Sequence, residues 1–174
     1  MFVAVWPDDL TERRLAALAL GSVPGLRAVR PGQWHITLRF LGEVDDDRVP
    51  ALVDALGRAT TQVPGPVTCA LGPATAWFSG DRVLQIPVTG LDDVAGMVRR
   101  ATVPIVPSTS EANFVGHLTV ARVRGRRPDP STRAAVAGIA FTAEFAVQRL
   151  LLVASALSPQ GPRYSALARL ALPT

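Results

Sequence analysis

Two stretches decide how this chain folds: WHITLRFLGE (residues 34–43) and GHLTVARVRG (residues 116–125). They hold His35 and His117, the only two histidines among 174 residues, and each histidine is followed two positions later by a threonine and then by an apolar residue. Polar and apolar positions alternate in both, and strand-forming side chains dominate, so both are predicted to be β-strands. Residues i and i+2 of a strand leave the same face. His35 therefore projects with Thr37 and His117 with Thr119, while Ile36, Leu38, Leu118 and Val120 face a core. The same alternation carries Arg39 to the face of His35.

Working outward, FVAVW (2–6) reads as a strand and DDLTERRLAALAL (8–20) as a helix, with acidic residues at its start and Gly21 after its end. Beyond the first histidine strand, DDDRVPALVDALGRAT (45–60) is predicted helical, and PVTCALG (66–72) and RVLQIPV (82–88) are strands. Between those two strands lies a turn-rich segment with Trp77, Phe78, Ser79, Gly80 and Asp81. LDDVAGMVRRA (91–101) is a helix, HLTVARV (117–123) the second histidine strand, and a further helix falls around DPSTRAAVAGI (129–139). One long strand is expected within EFAVQRLLLVAS (144–155), and RYSALARLAL (163–172) closes the chain. Strand, helix, histidine strand, helix, strand thus describes roughly residues 2–72 and again roughly 82–154, within a single domain spanning 1–174. This order predicts a duplication that brings the two histidine strands side by side at one cleft.

Composition limits the function. Hydrophobic residues make up 48% and charged residues 18%, enough for a buried core and unlike a disordered chain. The longest strongly apolar stretch, LLLVASAL (150–157), is too short to cross a bilayer. No signal peptide is read at MFVAVWPDDL, and the single cysteine, Cys69, excludes an internal disulfide, so a cytoplasmic protein without a membrane partner is expected. The net charge is +4 and all 18 basic residues are arginine; Arg122 to Arg127 form the densest cluster, which suits either a solvated loop or a phosphate surface.

Each half thus offers an imidazole beside a hydroxyl on a rigid strand. Two imidazoles can divide acid and base duties near neutral pH, and two hydroxyls can donate to phosphate oxygens where charge builds up. That set suits attack on a phosphodiester without a metal or cofactor. A zinc site is the chemical rival, but its third ligand would have to be Cys69 or a carboxylate, and Cys69 lies in an apolar strand that reads as core. Trp34, Phe78 and Tyr164 are candidates for stacking on a base.

On the two His-x-Thr motifs, with FVAVW, RVLQIPV, FVGHLTVARV and LLLVASALSPQGPRYSALARLAL, the chain resembles the bacterial and archaeal RNA 2',3'-cyclic phosphodiesterases, historically called 2'-5' RNA ligases, of the two-histidine (2H) phosphoesterases. The likeness runs through nearly all of the chain. It implies a bilobal α+β fold, with two antiparallel β-sheets from the duplicated halves, helices packed outside, and a central cleft carrying one His-x-Thr motif from each half. It implies metal-independent opening of a 2',3'-cyclic phosphate to a 2'-phosphate, with 2'-5' RNA ligation as the reverse reaction. His35 and His117 become the acid–base pair, and Thr37 and Thr119 the phosphate-holding hydroxyls. Arg122 matches a basic position of the second motif, and Arg39 is a further substrate-binding candidate. The implied partner is an RNA end or nucleotide with a cyclic phosphate, bound by a monomer that needs no other protein. Two departures stand out: Gly116 where the family usually has proline, and Ala154 where an acidic residue commonly precedes the serine. Two readings remain beside this one: a sister activity on another cyclic or 2'-5' phosphodiester, such as ADP-ribose 1'',2''-cyclic phosphate, and an RNA-end-binding module without turnover.

Overall fold

The computed structural model describes residues 1–18, 20, 23–78, 80–107, 113–125, 128–159 and 161–173; Gly21, Ser79, Arg126 and Arg127, singled out above, lie outside the described residues. In chain order the elements are β1 (Phe2–Val5), α1 (Asp9–Ala16), β2 (Leu26–Ala28), β3 (Ile36–Phe40), a 3-10 turn (Asp46–Arg48) leading into α2 (Val49–Thr60), β4 (Thr68–Leu71), β5 (Ala76–Phe78), β6 (Val83–Thr89), α3 (Asp92–Thr102), β7 (His117–Val123), α4 (Pro130–Val136), β8 (Ala143–Ala146), β9 (Arg149–Ser158) and β10 (Gly161–Ala171).

Helix α1 starts where its sequence says it should. Asp8 accepts from the Thr11 backbone N–H at 2.8 Å, satisfying one of the donors that a helix start leaves unpaired. In α2, Leu52, Leu56 and Ala59 fall on one face and are buried there. Helix α2 packs against α3 and β10, and α3 against β3. The main core lies between these helices and the sheet, where Val3, Val5, Ile36, Leu52, Leu56, Ile86, Val98, Leu118 and Leu150 form one cluster drawn from both halves.

The strands pair antiparallel throughout, in the order β10-β9-β1-β3-β7-β6-β4-β8, with β2 added to β7 and β5 to β6. The ten strands form one continuous sheet, and the two expected antiparallel sheets are its two lobes, joined edge to edge at the histidine strands through the pair Ile36–Leu118. Their membership crosses the sequence. β4, at the end of the first half, pairs with β6 and β8, while β9 returns to β1.

The single long strand expected over residues 144–155 is two. The chain breaks at Val147 and Gln148, where the Val147 N–H bonds to the Val67 carbonyl (2.8 Å) and the path crosses from one sheet to the other. Part of the turn-rich segment is ordered as β5 by its pairing with β6, and β2 forms on the open edge of β7. Both are three-residue strands; β5 closes a short hairpin with β6, whereas β2 pairs with β7 far along the chain, a signal no local pattern carries.

Both histidine strands carry a β-bulge at the same place. Along β1–β3, Val3 faces Arg39 and Ala4 faces Thr37, leaving Leu38 as the extra residue. Along β6–β7, Leu84 faces Ala121 and Gln85 faces Thr119, leaving Val120 as the extra residue. A bulge shifts the in–out phase by one residue. Arg39 accordingly turns into the core instead of reaching the cleft: it is 9% exposed, and its guanidinium donates to Thr102 Oγ1 and to the Val106 carbonyl (2.6 Å). Trp34 is also misplaced by the stacking expectation. It adjoins His35 in an extended segment, so it faces the other way, and it is packed into the core at 4% exposure.

Candidate active site

The side-by-side strands β3 and β7 bring both motifs to one cleft of about 320 Å³, lined by His35, Thr37, His117, Thr119, Arg122, Ser155 and Tyr164. Phe40 lines it too, in the phase-shifted position that alternation assigns to Arg39. The bulge in β7 does the same for Arg122, the residue corresponding to Phe40, while Ala121 goes to the core. Each strand therefore presents histidine, threonine and then its fifth residue after the histidine. One half ends this row in an aromatic ring, the other in a guanidinium.

The histidines are held alike. His35 Nδ1 lies 2.8 Å from the Gln33 carbonyl and His117 Nδ1 lies 2.8 Å from the Val115 carbonyl, in both cases two residues back. A carbonyl only accepts, so Nδ1 of each ring carries the proton, and in the neutral ring Nε2 is left with its lone pair free.

The surroundings of the two rings differ. His35 is stacked near Phe2 (centroids 5.1 Å apart) and Trp6 (5.2 Å), with Tyr164 edge-on at 5.1 Å. His117 stacks on Phe78 at 4.5 Å. Burial in its aromatic setting pushes the His35 pKa below the ordinary 6.5; the Gln33 carbonyl opposes this, while the charges of Arg122 and His117 add to it. Burial likewise raises the Tyr164 phenol, with Arg122 pulling the other way.

Of the expected substrate contacts, Arg122 and Tyr164 line the cleft and Phe78 stands against His117, whereas Arg39 and Trp34 are in the core. Sequence reasoning passed over Phe2, Trp6 and Phe40, and met Ser155 only as the serine that follows Ala154. The first two were signalled by FVAVW itself, since alternation puts Phe2, Ala4 and Trp6 on one face.

A larger cavity, about 590 Å³, lies elsewhere, between the start of α1 and β8–β9, and neither histidine lines it. Among the described residues no three His, Cys, Asp or Glu side chains gather as a ligand group. Cys69 is fully buried in β4, with its thiol pushed up to about 12.

Comparison with known proteins agrees with this geometry. Residues 7–69 match the family described as LigT like Phosphoesterase. The RNA 2',3'-cyclic phosphodiesterase of Archaeoglobus fulgidus is 28% identical over 168 residues, 94% of this chain and 95% of that protein. A crystal structure of the Thermus thermophilus protein TT0787 aligns with a TM-score of 0.84 at 26% identity, covering 98% of this chain and 96% of the other. The RNA 2',3'-cyclic phosphodiesterase of Escherichia coli is 31% identical over 149 residues, 84% of this chain and 80% of the relative, and by that likeness across the shared fold this chain belongs to the LigT-like phosphoesterase family.

Proposed function

We propose that the protein is an RNA 2',3'-cyclic phosphodiesterase: it opens the cyclic phosphate at an RNA or nucleotide end to a 2'-phosphate, without a metal. The observation that carries the reading is the matched presentation of two Nδ1-anchored imidazoles, each beside a threonine, on one cleft. The named relatives support it, and E. coli LigT has been crystallised with 3'-AMP. In the proposed reaction His117 Nε2 takes a proton from water as its oxygen bonds to phosphorus. His35 Nε2 gives a proton to the 3' oxygen as the P–O3' bond breaks. Thr37, Thr119 and Arg122 hold the non-bridging oxygens, where hydrogen bonds strengthen as charge accumulates. Where a 5' hydroxyl takes the place of water, its oxygen bonds to the phosphorus of the cyclic phosphate as the P–O3' bond breaks, leaving a 2'-5' linkage and a free 3' hydroxyl. The reading includes a cytoplasmic monomer acting on RNA ends; among the described residues no helix is long and apolar enough to cross a membrane.

The test is hydrolysis of adenosine 2',3'-cyclic phosphate and a short RNA carrying the same end, with EDTA present, comparing wild type, His35→Ala and His117→Ala. Release of the 2'-phosphate, lowered about 10²–10⁴-fold by either substitution, is the expected result. Inactive wild type under EDTA, restored by zinc, would sink it. A substrate with sulfur in place of the 3' oxygen assigns the roles, because a thiolate departs without a proton: it restores the variant lacking the acid, expected to be His35→Ala.

A further inference from the structure

Next to the cleft, and sharing His35, Thr119, Arg122 and Tyr164 with it, lies a small recess of about 80 Å³. Its other walls are β2 and the segment after it, with Arg27 and Arg30, and the turn into β10 at Pro162. Three arginines line it and no carboxylate does. At this volume it holds one compact group, well short of the several hundred Å³ that a whole small molecule occupies.

The recess is built rather than incidental. β2 runs antiparallel on β7 with Arg27 directly opposite Arg122, so the two arginines leave the same face of the sheet side by side. Among the described residues neither Arg30 nor Arg122 is paired with a carboxylate. Gln33 Nε2 donates to the Pro162 carbonyl at 2.9 Å and ties the segment to the β9–β10 hairpin. Gly161 (φ 116°) makes room for Arg27 there, since a Cβ at 161 would run into its guanidinium.

We infer that this recess seats the phosphate on the 5' side of the nucleotide whose cyclic phosphate is opened, so that the enzyme selects phosphorylated or chain-terminal nucleotides over bare nucleosides. The inference rests on the reading of the cleft as a cyclic-phosphate site, from which the recess is reached past His35 and Thr119. Guanidinium forks match phosphate oxygens in pairs, and a second phosphate one nucleotide away falls on the same ligand.

The test compares three substrates: adenosine 2',3'-cyclic phosphate, the same compound with a 5'-phosphate, and the dinucleotide ApA with a 2',3'-cyclic end. Wild type is expected to favour the second and third by about tenfold in kcat/KM, mostly through KM, as for a charge-assisted bond gained on binding. Arg27→Gln and Arg30→Gln each bring that ratio toward one, and so does added salt. Arg27 and Arg30 are exposed, and the wild-type comparison depends on no variant at all. Equal kcat/KM for all three substrates overturns the inference while leaving the proposed function in place. Preference for the dinucleotide alone also overturns it, since the upstream nucleoside rather than the phosphate would then be recognised. Hydrolysis of none of the three removes both.

Discussion

His35 sits against flat rings on several sides, and this makes its proton the sensitive one. Its pKa is lowered on folding, so between that lowered value and 6.5 the unfolded chain binds more protons than the folded one. Stability contributed by the neutral ring is therefore complete above 6.5 and is lost as the pH falls through the folded value. Thermal melts below pH 6.5 should show this decline, and His35→Gln should flatten it. In kinetics an acid–base pair is expected to give a bell-shaped kcat/KM profile, and the lowered His35 pKa sets one of its limbs below 6.5. An NMR titration of the His35 ring checks the attribution. Replacing Thr37 or Thr119 by valine keeps the shape but removes a donor, and should lower kcat by about a hundredfold. The four motif residues were legible because chemistry and alternation coincide on them. Trp6 and Phe2 were equally legible by alternation, yet nothing chemical drew attention to them. Arg39 was misread because a charged side chain next to such a motif suggests phosphate, while its partners, Thr102 at the end of α3 and Val106 just after it, stand far along the chain.

Strand β3 shows what a period-two reading misses. The pattern gave the strand, its first two cleft residues and its core face, then failed at Leu38, where the bulge has no local signature. The same failure at Val120 swaps Ala121 with Arg122. Arg122 was singled out by resemblance to the family rather than by phase. The corrected placement makes Arg39 a fastener between β3 and the end of α3. Arg39→Ala leaves the Val106 carbonyl and Thr102 hydroxyl without their donor, and should destabilise the protein by about 2 kcal/mol in denaturant unfolding, with kcat at low denaturant little changed. A large loss of activity in a fully folded Arg39→Ala would contradict the placement. Gly116 belongs to this scale too. Its carbonyl accepts from Val88 N–H at 2.9 Å, and a Cβ on it would collide with the Val88 carbonyl oxygen. The β6–β7 approach beside His117 thus leaves no room for the proline usual in the family.

For the whole molecule, the sequence predicted two similar runs of elements and a meeting of their histidine strands. The exchange of β4 and β9 between the sheets was not visible, because it depends on pairing between segments far apart along the chain. That exchange predicts a single cooperative transition: fragment 1–72, with β4 deprived of β6 and β8, should show no cooperative melt by circular dichroism. Cys69, in that same strand, should react with a thiol reagent only at the rate of global opening, since it is fully buried and its thiol is held up to about 12. Fast labelling under native conditions would show that the β4 region opens by itself.

The crossed membership of the sheets also governs how the enzyme comes into being. On a ribosome the chain emerges from residue 1 onward, so β1 and β3, with His35 already made, wait for β9 and β10 before their sheet has its full set of neighbours. Nothing of the reaction centre can mature early. A nascent chain stalled before residue 149 carries both histidines and no finished site, so birth of the last strands and birth of activity are the same event.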